Sequence, residues 1–568
     1  MYIVQHPKGT QARVLLTSVF GPYAQDDEYG SRAINPVELY HNQVTRVQGP
    51  FSLRMFHRSW GIMMIQANIR APSTLLDFPS MEQFVQQIQN NQYDVIGITS
   101  IIPNVGKVRK MCSLIRSYQP RCAIVVGGHI ANLPDAASRF DADHIVKGEG
   151  IAWFRRFLGQ DESAPIEHPE IWSGFGSRTM GMKLSNGPKH RAAVLIPSVG
   201  CPIGCNFCAT SAMFGGKGCS VNFFKTGREL FQIMVRIEEH LKTQSFFVMD
   251  ENFLLQRTRA LELLELMKEH EKSWSLYVFS SARTIQSYSM EELVGLGISW
   301  IWMGLEGEDS SYAKLRNIDT RDLVQSLHAN GIRVLGSSII GLETHTPENI
   351  DRVIDHAVIH GTDFHQFMLY TPVPGTPLYR EHQSKRTLIP GIEDADTHGQ
   401  YAFNFNHPYI TREDSSRFLL RAFERDYLIN GPSVMRIAET LLQGWKRHKN
   451  HVTRRVRKRY RRECKILRFG FGSALWAMER YFRSSNGPLT EKIRQLRADL
   501  HREFGYTSRL LAPILGTVIL KLIQREEKRL SRGWTYQPSM FIEKRNWERL
   551  IRPAEVLVLK PLPLRNSG

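Results

Sequence analysis

The sequence predicts an α/β protein: a doubly wound parallel sheet, then an open six-unit β/α barrel, then a mainly helical region. Three observations carry this. Short apolar runs alternate with helix-length amphipathic stretches over the first unit, 1–150. The alternation resumes in 191–386, with apolar runs roughly 25 to 50 residues apart, each followed by a helical segment. From Thr387 onward the strands give way to long, basic helical patterns. A chain of 568 residues exceeds what one core supports, and its 42% hydrophobic content supplies several.

In the first unit Ala12–Val19, Gly61–Ala67, Val95–Ser100 and Ala123–Gly128 read as strands, with Met81–Asn90 and Val105–Tyr118 as helices. Ligands of doubly wound sheets sit beyond the carboxyl ends of the strands, where glycine and small polar residues admit a large group. Here those ends are Phe20 and Gly21, Ser100, Gly127 and Gly128, then Gly148, Glu149 and Gly150. A connector, 151–190, carries PIEHPEIW and glycine-rich turns.

The second unit offers six strands: Ala193–Val199, Ser245–Met249, Leu276–Phe279, Trp300–Met303, Val334–Ile340 and Phe367–Tyr370. Active residues of such barrels collect at the carboxyl ends of the strands. Those ends hold Cys201, Cys205 and Cys208; then Asp250, Glu251 and Asn252; Ser280, Ser281 and Arg283; Gly304, Glu306 and Gly307; Ser337, Ser338, Gly341 and Glu343; and the run TPVPGTPLY from Thr371. The cysteines are spaced CxxxCxxC. Three thiolates so close can grip three irons of a cubane cluster and leave the fourth without a protein ligand. Zinc would want a fourth Cys or His at regular spacing, and Cys219 lies beyond a GGKG loop.

This spacing, with Phe207 just before the last cysteine, resembles the signature of the radical S-adenosylmethionine (radical SAM) enzymes. The run VVGGHIANLPDAA, followed by DADHIVKGEG, is similar to the cobalamin-binding domain that precedes many radical SAM domains. The resemblance implies a Rossmann-like cobalamin-binding domain and a partial TIM-type barrel. It implies a [4Fe-4S] cluster whose open iron chelates the amino and carboxylate groups of SAM. An electron from a flavodoxin- or ferredoxin-type donor then cleaves SAM to methionine and a 5′-deoxyadenosyl radical. Cys201, Cys205 and Cys208 become the cluster ligands; Glu306, Ser337 and Ser338, with Arg283, Phe207, Asp250 and Asn252, become candidates around SAM. Ser100, Gly127, Gly128, Gly148 and Glu149 become candidates around cobalamin. Two departures stand out. The DxHxxG run that supplies a cobalt-ligating histidine is absent, since neither His129 nor His144 stands in that context, and the fifth strand lacks the family's GLPGE.

The third unit, 387–568, contains Trp445–Arg468, in which Glu463 is the sole acid, and apolar clusters at Phe469–Phe482 and Tyr506–Ile523. Three readings stay open: a helical cap packed on the barrel, a surface for anionic lipid, or an RNA contact. The net charge of +18 fits any anionic partner. Seven unevenly spaced cysteines indicate a reducing cytosol. Met1–Thr10 lacks a signal-peptide pattern, and the apolar run Leu510–Ile523 is too short to span a bilayer. The expected location is cytoplasmic, with a peripheral position on the inner membrane face. Nothing in the sequence speaks to oligomeric state.

The favoured expectation is a cobalamin-dependent radical SAM enzyme that methylates an unactivated carbon, with a lipid as substrate. The alternatives are radical coupling, cyclisation or rearrangement without methyl transfer, and a non-catalytic cobalamin or iron–sulfur sensor.

Overall fold

The computed structural model describes residues 4–21, 47–185, 187, 190–307, 318–533 and 538–546. In chain order the first unit contributes β1 (Val14–Thr17), β2 (Arg54–Phe56), α1 (Trp60–Asn68), β3 (Ser73–Asp77), α2 (Met81–Asn90), β4 (Val95–Thr99), α3 (Val105–Tyr118), β5 (Ala123–Gly127), β6 (His144–Val146) and α4 (Gly150–Phe157). Strands β3, β1, β4, β5 and β6 are neighbours in that order, all parallel. The order reverses between β1 and β4, and such a switch point opens a crevice above the strand ends.

One expected strand is a helix. Gly61–Ala67 lies within α1, and the second parallel strand is Ser73–Asp77. The run GIMMIQA is apolar all round, and a short continuous apolar run does not distinguish a buried helix from a buried strand. Ile62, Met63, Met64, Gln66, Ala67 and Asn68 are all buried, so beyond its first turn the helix is largely enclosed. The connector is also more ordered than its composition indicates: α4 occupies its start, and β7 (Phe175–Thr179) pairs antiparallel with both β2 and β8 (Met182–Lys183).

The barrel strands are β9 (Ala193–Leu195), β10 (Ser245–Val248), β11 (Ser275–Phe279), β12 (Ile298–Glu306), β13 (Arg333–Ile340) and β14 (Phe364–Leu369). They form one parallel sheet in sequence order. Alternation along each strand sorts its side chains onto two faces. Leu276, Val278, Ile301, Met303 and Val334 join Leu263, Leu323 and Leu327 of the flanking helices in one core. The other, concave face carries rings: Phe247 lies 4.6 Å from Tyr277, Phe279 5.1 Å from Trp302, and Trp300 5.8 Å from Phe364. His57 and Trp60 reach in from the first unit and contact Phe247 at 5.5 and 5.7 Å.

Beyond the barrel come α5 (Arg412–Asn430), α6 (Ser433–His448), α7 (Arg454–Glu463), α8 (Gly472–Phe482) and α9 (Gly487–Leu530), then β15 (Phe541–Arg545). Helix α9 is two helices meeting at Gly505, whose φ of 74° breaks the helical path. Helix α7 contains most of the basic run and lies across the amino-terminal ends of the barrel strands. Arg455 Nη1 donates to Gly295 O (2.7 Å), Arg459 Nη1 to Val294 O (2.9 Å) and Tyr460 Oη to Asn330 O (2.5 Å). Glu463 accepts from Ser275 Oγ (2.6 Å) and Arg333 Nη2 (2.7 Å). For this helix the packed cap is the reading that holds. Strand β15 returns to the first unit, pairing antiparallel with β3 at the sheet edge.

Candidate functional site

The cysteine loop follows β9. Glycines at its bends hold φ of 83° (Gly200) and 69° (Gly204), and a Cβ on Gly200 would lie 2.7 Å from Phe214 Cβ. No other residue turns the chain this tightly without strain. The loop is tied down by Ser211, whose Oγ donates to Cys201 O (2.9 Å) and whose N–H donates to Cys208 Sγ (3.4 Å). Leu378 N donates to Asn206 O (3.0 Å), and Phe207 stands edge-on to Tyr370 at 6.4 Å, so the end of β14 braces the loop from outside.

Burial pushes the Cys201 thiol up to about 11 and raises that of Cys208. Free thiolates are therefore disfavoured here, and a metal cluster held by them would supply the positive charge that keeps them ionised. Cys219, the nearest fourth cysteine, is exposed. Among the described residues no group of three or more His, Cys, Asp or Glu is arranged to hold a single metal ion.

The DEN run after β10 divides its labour. Asp250 is buried, paired with Arg259 Nη2 at 2.5 Å and hydrogen-bonded by the Ser198 hydroxyl. Asn252 Oδ1 accepts from Ser280 Oγ (2.8 Å) and Ser281 N (3.2 Å). Both expected SAM contacts are thus committed as struts between strand ends. Glu251 between them is different: its Oε2 is buried with no partner, and its charge is felt at Cys201 and Cys208. Burial pushes its carboxyl up to about 7. A carboxylate oxygen left without a partner beside the cysteines suits the N–H donors of a ligand amino group, and nothing in the run FVMDENF itself separates Glu251 from its neighbours.

Glu306 ends β12 at a register shift, buried, with φ of 53°. A non-glycine residue in that conformation is strained, and such strain concentrates at functional sites. Ser337 and Ser338 part company. Ser337 pairs in register with Gln366 on the ring-lined face, and Gln366 Oε1 is buried without a partner. Ser338 faces the helices, where its hydroxyl meets His365 Nε2 at 3.0 Å; burial holds that imidazole neutral, down at about 3. Arg283 is exposed on the first turn after β11.

In the first unit Gly128 has φ of 82°, and a Cβ there would lie 2.6 Å from Ser100 O. Gly148 has φ of 87°, and a Cβ there would be 3.6 Å from Met213 O, just past the cysteine loop. Glu149 is an N-cap: its carboxylate accepts from Ile151 N and, at 2.8 Å, from Ala152 N. Asn132, absent from the sequence-based set, bridges the units by donating from Nδ2 to Ala209 O (3.2 Å). Its backbone meets Gly375 closely, and its Oδ1 is buried without a partner. The strand ends of the two sheets thus meet at Asn132, Gly148, Met213 and Gly375. Side-chain-free backbone at the ends of β5 and β6 (Gly127, Gly128 and Gly148), with a small Ser100 after β4 and an unpartnered amide oxygen on Asn132, fits a large amide-bearing ring system.

Residues 53–158 match the B12 binding domain family and residues 195–357 the radical SAM superfamily. The fold and site define a radical SAM enzyme. The chain belongs to the radical SAM proteins that carry a B12-binding domain, and its cofactors are a [4Fe-4S] cluster, SAM and cobalamin. It is 23% identical over 370 residues to an uncharacterised methyltransferase of Pyrococcus horikoshii, covering 59% of this chain and 79% of that one. It is 24% identical to bacteriochlorophyllide d C-12(1)-methyltransferase of Chlorobaculum tepidum (52% and 66% covered). Hopanoid C-2 methylase of Rhodopseudomonas palustris is 25% identical (58% and 62% covered).

Proposed function

We propose that this protein methylates an unactivated carbon of a lipid-soluble substrate, using SAM and cobalamin. The observation that supports this most is the meeting of two sets of strand ends, with Asn132 and Gly148 of the first unit against Ala209 and Met213 beside the cysteine loop. When bound, the cluster and SAM supply a hydrogen-abstracting radical, and cobalamin supplies the methyl group.

The chain's own part is holding, orienting and excluding water. Cys201, Cys205 and Cys208 hold three irons. Glu251 takes the amino group of SAM, and Glu306 and Ser337 take its polar remainder. Gly127, Gly128 and Gly148 admit the corrin, with Ser100 at the switch point. Phe247, Tyr277, Phe279 and Trp302 keep the concave face dry. An external reductant delivers the electron, and a small flavodoxin- or ferredoxin-type protein suits that need.

The curated relatives named for bacteriochlorophyllide and hopanoid methylation support methyl transfer, and the exposed apolar residues of α9 support a lipid substrate and a peripheral membrane position. Among the described residues no helix is long and apolar enough to cross a membrane. The test is anaerobic turnover with methyl-deuterated SAM and a lipid extract. A lipid gaining the labelled methyl, together with 5′-deoxyadenosine, is expected. Deoxyadenosine with an unlabelled, rearranged product would assign coupling or cyclisation instead; none formed by a fully loaded protein would assign a sensor.

A further inference from the structure

The stretch 510–518 of α9 is packed inside out. Its buried side uses small residues: Ala512 is 1% exposed, and Gly516 sits so close to α8 that a Cβ there would lie 2.5 Å from Trp476 Cε3. Its large apolar residues face outward, with Leu510, Leu511, Ile514, Leu515 and Val518 between 38% and 66% exposed. The spacing i, i+1, i+4, i+5, i+8 makes them one continuous stripe. A stripe of this size on a helix already anchored by its other side marks an interaction surface. Lys521, Arg525 and Lys528 stand exposed further along the same helix.

At the Gly505 bend, directly before the stripe, lies a cavity of about 280 Å³ lined by Arg494, Arg497, Ala498, His501, Arg502 and Arg509. No carboxylate lines it. Acids on its outer side steady three of the arginines: Glu479 and Glu491 pair with Arg494, Glu479 with Arg497, and Asp499 with Arg502. Arg509 makes no ion pair among the described residues. His501 is 6% exposed, its Nδ1 lies 3.1 Å from Ser508 Oγ, and its Nε2 is buried without a partner. With the Ser508 hydroxyl donating to Nδ1, Nε2 carries the proton and offers a donor among four guanidinium groups. That is the donor set of a phosphate site.

We infer that α9 docks the protein on an anionic phospholipid bilayer, a headgroup phosphate entering the His501–arginine cavity while the Leu510–Val518 stripe enters the interface. The inference rests on the peripheral membrane reading above and assigns it a site. Charge complementarity favours a bilayer over a second copy of this chain, whose matching face would bring the same arginines together.

The test is co-sedimentation of the full, cofactor-loaded chain with phosphatidylcholine vesicles and with vesicles containing phosphatidylglycerol. Wild type is expected on the anionic vesicles only. Ile514→Glu should lower the partition coefficient at least about tenfold, and Arg509→Gln about fivefold, with cluster content and 5′-deoxyadenosine formation unchanged as evidence of folding. Glycerol 3-phosphate should weaken wild-type binding more than chloride at matched ionic strength. No wild-type binding to either vesicle overturns the membrane reading and the site together. Binding that Ile514→Glu abolishes, but that neither Arg509→Gln nor glycerol 3-phosphate alters, overturns the cavity alone. A dimer in solution that Ile514→Glu converts to monomer, without vesicle binding, assigns the stripe to self-association.

Discussion

Three consecutive residues after β10 carry different burdens, and substitution separates them. Glu251→Gln keeps the volume but removes the charge that faces the cysteines; SAM binding should weaken about 10- to 100-fold while the cluster's absorbance persists. Asp250→Ala strands Arg259 in the core, so a loss of stability of about 3–5 kcal/mol is expected, read as a lowered midpoint in denaturant. Alanine at Cys201, Cys205 or Cys208 should remove both the iron–sulfur absorbance and SAM cleavage; a variant retaining both would refute the ligand assignment. The cysteine triad stands out in the sequence by its spacing alone, because ligand chemistry fixes residue type and separation, and its role as cluster ligand is the proposal those variants test. The roles of Asp250, Glu251 and Asn252 were not, because a carboxylate committed to an arginine and one left unpaired are spelled alike. Ser337 and Ser338 repeat the lesson: only the pleat and His365 distinguish them.

At the level of elements, the six barrel strands were readable because buried parallel strands are short, apolar and regularly spaced, whereas GIMMIQA, apolar on every side, hid a helix. Helix α7 misleads in another way. Its arginines resemble a solvated, polyanion-binding run, yet Arg455 and Arg459 are 4% and 2% exposed and are spent on carbonyls at the barrel's amino-terminal end. Glu463→Ala would leave Arg333 and Arg459 unpaired beneath the barrel. It should cost about 3–5 kcal/mol and leave vesicle binding unchanged. The anchoring of α9 to β7 carries a pH signature. Burial opposes ionisation of Glu526, but hydrogen bonds from Arg529 and Arg178 overcome it and hold the carboxyl down at about 2, against an ordinary 4.5. A carboxyl depressed in the folded state adds stability above its ordinary value and loses it as pH falls towards 2. Acid unfolding of wild type should therefore be steeper over that window than that of Glu526→Gln, as circular dichroism at stepped pH would show.

The molecule as a whole is two parallel sheets set carboxyl end to carboxyl end, with the third unit binding both together: α7 lies under the barrel, and β15 joins the first sheet. The contact at Asn132, Gly148 and Gly375 gives the interface a direct test. Gly128→Val would place side-chain atoms against Ser100 O at a backbone angle valine avoids. Cobalamin recovered with the purified protein should fall sharply while iron content holds. The pairing of β15 with β3 also bears on biogenesis. A sheet edge left open invites other strands, and here the strand that covers it is made only after both the barrel and the helices have emerged. The first unit must therefore wait, incompletely closed, through most of synthesis, and a nascent chain stalled before Phe541 would present that edge to whatever chaperone or neighbour is nearest.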